Sequence, residues 1–419
     1  MNCNKYFLGV MSLRMTTTNT TPQLPSLAWQ LQKKLTKSVA PKQVIDLASA
    51  SGLHLDLPQI NMKQLAEGQL ARIGVYPGRI SIATELTATI SDTLKKWTGA
   101  SIPNSEIMIT SGIYGAYRTI LLSSPKPLII VPELTHEPHK AAFKALGKRL
   151  LECPADPEGR MDLGKLRVIL GSNREKTAYV YICHNRGQLI NEAYLLELSD
   201  IICKAKTAGL YDADIIYTTH TEAAQPWLPF ITEKVRSHML IMGTLSKEFG
   251  MPGIRIGYVV GSARLMDHIK VHQEETLEMI PAPSQIIASH IMGKVRLDKV
   301  QEQLQDRMKT LVRGLSGLGW KVSKPAVGIN LRIPVPPSFA KQKIVAADEL
   351  FSWYTWQAAG VLIRIGSTDG TNRNTEVRLV ICQTTQTIDK AIQQLLKAGI
   401  TYDMKLPEDC IKNYLAYIR

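Results

Sequence analysis

Between residues 107 and 260 the chain alternates short apolar runs with longer amphipathic ones, and few folds accommodate that alternation. Apolar runs at 107–110, 128–131, 178–183, 215–216, 239–242 and 255–260 read as strands. Helical periodicity fills three of the gaps: from Ser111-Gly112 through Ile120, at 137–146, and at 194–208, where Leu195, Leu198 and Ile202 repeat. Strands joined by helices of this length become neighbours in a parallel sheet, because a parallel pair needs a long, right-handed crossover. The expectation is an α/β fold of three layers, a mostly parallel sheet between two layers of helices. Ligands in such sheets sit outside the carboxyl ends of the strands. Polar residues just beyond each apolar run are therefore the candidates for function.

The flanks carry less pattern. Residues 24–40 and 65–73 look helical, 44–47 looks like a short strand, and Tyr76 falls in a glycine- and proline-bearing loop. Residues 84–97 form an amphipathic helix with Leu86, Ile90, Leu94 and Trp97 on one face. A long helical stretch, 284–318, leads to a second α/β region with strands at 329–333, 361–365 and 376–382 and helices at 347–359 and from 388. A chain of 419 residues exceeds one simple core. The expected division is a tail and arm over 1–43, a large domain over 44–285 and a small C-terminal domain over 286–419.

Composition narrows the function. The formal net charge of +14 comes from dispersed basic residues, which suits a field that draws small anions and argues against a nucleic-acid partner. Six widely spaced cysteines without a CxxC pair point to reduced thiols in a cytoplasmic protein, with no structural metal site. No apolar run reaches the roughly 20 residues a membrane span requires.

The chemistry gathers around GTLSKEFGMPGIRIGY, residues 243–258. Lys247 follows an apolar strand, where desolvation favours the neutral amine, a nucleophile toward an aldehyde. Arg255, Thr244 and Ser246 offer a guanidinium and hydroxyls to a phosphate, and Ser111-Gly112-Ile113 opens a helix whose free N–H groups suit the same anion. Asp214, in YDADIIY, could hold a pyridinium nitrogen protonated; its neighbour Asp212 reads as a turn residue. Tyr217 and Asn185 could donate to a phenolate oxygen on the same ring.

In this order, Asn, Asp-x-x-Tyr, Ser-Lys and Arg, the chain resembles the fold type I pyridoxal-phosphate enzymes, specifically the class I and II aminotransferases. The resemblance implies pyridoxal 5′-phosphate as cofactor, with Lys247 as its Schiff-base lysine. It makes Arg255 and Thr244 phosphate ligands, Asp214 the pyridinium partner, and Tyr217 and Asn185 the donors to its ring hydroxyl. Gly112 and Ile113 fall where the family's phosphate-binding backbone lies. Arg378, in EVRLVIC, matches the arginine that grips the substrate α-carboxylate, with Arg364 in VLIRIG as its competitor and a surface ion pair with Glu376 as the bland reading. Tyr76 matches a tyrosine that reaches the neighbouring subunit's phosphate, so the resemblance implies a homodimer. Departures cluster on the substrate side: Arg186-Gly187-Gln188 replaces Pro-Thr-Gly, His136 replaces a stacking aromatic, and Ala50 stands where a substrate-contacting glycine is usual.

The resulting expectation is transamination between an L-α-amino acid and a 2-oxo acid. The altered loop and His136 leave open a lyase or cyclase acting at the β or γ carbon.

Overall fold

The computed structural model describes residues 27–37, 44–50, 55, 82–184, 187–213, 219–221, 228–247, 249–276, 279–369 and 374–419. Its centre is a seven-stranded sheet. A two-residue strand, β1 (Ile45–Asp46), lies outside it. The sheet's own strands are β2 (Ile107–Thr110), β3 (Leu128–Pro132), β4 (Arg149–Cys153), β5 (Thr177–Cys183), β6 (Ala208–Asp212), β7 (Met239–Thr244) and β8 (Gly257–Val260). Their spatial order is β2-β8-β7-β6-β5-β3-β4, parallel except for β8, which runs against both its neighbours. The expected mostly parallel sheet is present.

Every residue of β2, β3, β5, β6, β7 and β8 is buried, which is why each is written as a continuous apolar run and not as an alternation. Edge strand β4 differs. Its sequence RLLEC is charged near both ends and mostly outside the core, so no apolar run marks it. Strand β6 corrects the sequence reading, which ran a helix through Ala208. That helix, Glu192–Lys204, stops before Lys206, whose φ of 52° turns the chain out of helical space, and AGLYD then pairs between β5 and β7.

The stretch read as one long helix is two, Ala282–Met292 and Leu297–Gly317, the first capped by Gly293. The second buries Val300, Leu304, Met308, Leu311 and Leu315 at helical spacing. The anticipated helix at 84–97 runs Ile82–Thr98, with Leu86, Ile90 and Leu94 in the core.

A second sheet has three antiparallel strands in the order β11-β12-β9: β9 (Asn330–Pro334), β11 (Arg364–Ile365) and β12 (Glu376–Val380). The run read as one strand at 361–365 splits. Its first half, β10 (Val361–Leu362), pairs in parallel with β1, and its second half is β11. A 3-10 turn, Gly366–Asp369, then leads toward β12. The helix Cys410–Ile418 closes the chain, its buried Tyr414 donating to Glu349 at 2.8 Å.

Gly366 begins that turn against the backbone of β12, and a β-carbon there would overlap the Glu376 carbonyl oxygen. Gly366→Ala is expected to cost about 1–3 kcal/mol through the forced shift. Thermal unfolding checks it, and an unchanged Tm would show that β12 gives way freely.

Candidate active site

The antiparallel direction of β8 brings its amino end beside the carboxyl ends of the parallel strands. In register, Cys183 pairs with Asp212 and Asp212 with Met242, while Thr244 pairs with Gly257 and Gly257 with Thr110. A cavity of about 370 Å³ opens over this row. Ala50, Ile113, His136, Ser246, Lys247, Arg255 and Arg378, all chosen from sequence, line it together with Asp212, His139 and Asn330.

One end is made of backbone and a guanidinium. The 12-residue helix Gly112–Ser123 begins here, with Ser111 as N-cap making no side-chain cap bond. Gly112 has a φ of 67°, and a β-carbon on it would sit 2.6 Å from Arg255 Nη2. A β-carbon on Gly257 would sit 2.9 Å from the Gly112 backbone. The two glycines thus bring the helix N-terminus and Arg255 side by side. Arg255 itself holds a left-handed φ of 54°, and its Nη1 donates to the Pro252 carbonyl at 2.7 Å. Thr244 is buried and its hydroxyl accepts the Ser246 N–H at 3.1 Å, so it braces Ser246.

Lys247 reaches into the cavity and its Nζ donates to the Ala50 carbonyl at 2.5 Å. Among the described residues, the carboxylate facing the same space is Asp212, which ends β6; the reading of it as a turn residue is corrected. Its Oδ2 accepts the Tyr181 hydroxyl at 2.8 Å and the Tyr117 hydroxyl at 3.0 Å. Burial, and then the Asp212 charge, push both phenols well above their ordinary pKa, so both stay protonated and donate. His139 Nδ1 lies 2.9 Å from the Tyr181 hydroxyl and 3.8 Å from Asp212 Oδ2. Burial lowers the pKa of His139.

His136 caps the helix Glu137–Ala145 and sets its ring edge-on to that of His139, centroids 5.3 Å apart. Burial lowers its pKa to about 3, so the neutral ring donates through Nδ1 to Asp369 Oδ1 at 2.6 Å.

Arg378 occupies the central strand of the small sheet, 7% exposed, and its carboxylate partner is Asp369 and not Glu376. The surface reading is thereby corrected. Arg364 and Arg332 stand directly opposite it on the two neighbouring strands. Sequence reasoning missed the part of four residues found here: Asp212, read as a turn residue, and His139, Asp369 and Arg332, which went unread. Only Asp212 carried a signal, its place in the same YDADIIY segment. Tyr76, Asn185, Asp214 and Tyr217 lie outside the described residues.

With this geometry in view, comparison with known proteins gives a consistent result. The family model for aminotransferase class I and II matches residues 42–395, and the chain belongs to that family. Among curated relatives, LL-diaminopimelate aminotransferase 2 of Nostoc sp. is 26% identical over 162 residues, covering 38% of this chain and 40% of the relative. Among solved structures, aspartate aminotransferase of Thermotoga maritima superposes with a TM-score of 0.72 at 16% identity, covering 88% of this chain and 94% of that one. N-Succinyldiaminopimelate aminotransferase of Mycobacterium tuberculosis gives 0.73 at 19%, covering 88% and 96%. The fold is that of these aminotransferases. Among the described residues, no helix is long and apolar enough to cross a membrane.

Buried His184, which lines the cavity, makes one property of the site measurable. Burial lowers its pKa to about 4, while the unfolded chain titrates near 6.5. Between those values the unfolded state binds a proton that the folded state refuses, so stability falls as pH drops from 6.5 toward 4. Urea unfolding of His184→Gln is expected to show a slope shallower by up to about 1.4 kcal/mol per pH unit in that window. An unchanged slope would mean that His184 is charged in the fold.

Proposed function

We propose that this chain is a pyridoxal-phosphate-dependent aminotransferase that exchanges an amino group between an L-α-amino acid and a 2-oxo acid. The observation that carries this reading is the placement of Lys247, Asp212 and the Arg255–helix N-terminus pair around one cavity. These residues fit the cofactor's three recognition points. The glycine cradle and Arg255 present N–H donors to a phosphate. Asp212 presents an anion to a ring nitrogen, and Lys247 an amine to an aldehyde.

When bound, the cofactor supplies an electron sink for charge released at the substrate α-carbon. The protein's residues do the rest. Tyr117 and Tyr181 fix the Asp212 carboxylate, so its charge is aimed before any ligand arrives. His136, kept neutral and anchored by Asp369, presents an imidazole to the cavity, where the sequence resemblance would have it pack on the cofactor ring. Lys247 Nζ would serve as the base that takes the proton from the substrate α-carbon. The Ala50 carbonyl holds that nitrogen in place. Arg378 meets the α-carboxylate with a planar guanidinium. Asn185 and Tyr217 are assigned to the ring hydroxyl, and Tyr76 to the phosphate of a second subunit, on the sequence resemblance alone. We accordingly read the protein as a homodimer working in the cytoplasm, where its free cysteines would stay reduced.

Incubation with an amino acid panel and a 2-oxo acid should yield the paired products only when both are present. Product formed without consumption of the oxo acid would indicate elimination or cyclisation instead.

Two carboxylates compete for the ring nitrogen. Asp212→Asn is expected to lower turnover roughly a hundredfold or more by removing a preorganised charge. Asp214→Asn should leave it near that of the parent. The reverse outcome would return the role to Asp214.

A further inference from the structure

His136 and Asp369 lie 233 residues apart in sequence and meet at the cavity. His136 caps the helix Glu137–Ala145, and Asp369 ends the turn Gly366–Asp369. Nδ1 of the ring lies 2.6 Å from Oδ1 of the carboxylate. Burial pushes the Asp369 carboxyl up, but Arg378, Arg332 and His136 outweigh it and hold it well below the usual range. Asp369 is therefore ionised near neutral pH and can only accept a hydrogen bond. Burial lowers His136 to about 3 in spite of the Asp369 charge, so its ring carries a single N–H near neutral pH. That hydrogen belongs on Nδ1, the nitrogen facing the acceptor, and Nε2 is left as a bare lone pair.

The lone pair has no donor waiting for it in the protein. Among the described residues no group bonds Nε2, and it is not enclosed, whereas nitrogens of Arg332, Arg364 and Arg378 are. The His136 side chain is 20% exposed and the residue lines the cavity, so Nε2 is available to a ligand there. The ring cannot easily turn away. His139 and Trp29 stand edge-on to it at centroid distances of 5.3 and 6.3 Å. Asp369 Oδ1 also accepts Arg378 Nη1, at 3.2 Å, so the imidazole and the guanidinium stand side by side. A ligand whose carboxylate reaches Arg378 brings its neighbouring atoms to His136. Arg364 and Arg378 both disfavour positive charge at this ring, so the donor that suits Nε2 is a neutral one.

We infer that Asp369 is a positioning residue and His136 a specificity-determining one: Asp369 holds the ring in its Nδ1–H form, and Nε2 accepts a hydrogen bond from a neutral hydroxyl or carboxamide on a carboxylate substrate. A hydrocarbon ring in the same place offers its ligand no such acceptor. The inference rests on the aminotransferase reading for the substrate carboxylate, and it adds the side-chain class: polar, uncharged and carrying a donor.

Two measurements test it, and neither needs turnover. Nitrogen-15 NMR of histidine-labelled protein near neutral pH reads the tautomer directly, with the His136 signals identified by their loss in His136→Phe. A protonated Nδ1 and a bare Nε2 are expected. Asp369→Ala should populate the Nε2–H form, and circular dichroism confirms that the variant is folded. Calorimetric titration, with added pyridoxal phosphate, then compares unreactive alkanoates with ω-hydroxy and ω-carboxamido alkanoates of matched length. The donor-bearing acids should bind about threefold to tenfold more tightly, and the tighter of the two identifies the donor. His136→Phe keeps an aromatic ring and loses the acceptor, so it should abolish the preference while plain alkanoate binding persists. An Nε2–H or doubly protonated ring in the parent protein would overturn the inference. So would equal affinity for the plain and donor-bearing acids, a preference that survives in His136→Phe, or an unchanged tautomer in folded Asp369→Ala. Because the acids do not react, a preference found in a protein that transfers no amino group would leave the acceptor standing and sink the aminotransferase reading instead.

Discussion

Burial of the central strands along their whole length is the constraint from which the site follows. Six of the seven large-sheet strands have no exposed residue, so neither face of the sheet can carry a charged side chain at acceptable cost. Polar groups are pushed to where the strands stop. Asp212 ends β6, Lys247 follows β7, and Arg255 precedes β8, whose reversed direction delivers it to the same edge. The cavity is therefore a product of sheet topology, and its chemistry is the list of what stands at those ends.

Holding charge there requires partners prepared in advance. Asp212 has two buried phenols donating to one oxygen, and Asp369 has two arginines and a neutral histidine. The two clusters differ in balance. Around Asp212 the two hydroxyl donors are neutral phenols. Around Asp369 the guanidiniums exceed the carboxylate, so that end stays positive, and burial lowers the Arg378 pKa to about 9 despite Asp369, with Arg364 and Arg332 pushing the same way.

What could be read from the sequence follows from range. Lys247, Arg255 and the glycine-bearing loop between them are local, and so is the helix start at Ser111-Gly112; each was legible because its meaning lies within a dozen residues. Strand β6 was not, because AGLYD continues the apolar spacing of the helix before it, and the stop rests on one positive φ at Lys206. That miss concealed Asp212, since an aspartate gains its role from ending a strand. Asp369 was illegible for another reason. In GSTDG it has every mark of a turn residue, and only the pairing of β11, β12 and β9 collects arginines from 332, 364 and 378 around it. Register between distant strands is set by packing, which no short stretch encodes.

The central claim is that Lys247 is the amine the cavity presents to an aldehyde cofactor, and it can be tested at the level of a single covalent bond. Reducing the protein with borohydride in the presence of pyridoxal phosphate, digesting it and sequencing the labelled peptide by mass spectrometry identifies the lysine that carries the cofactor. Stoichiometric label on the peptide containing Lys247, lost in Lys247→Ala, is the expected result. Label scattered over surface lysines, or concentrated on one outside the cavity, would contradict it.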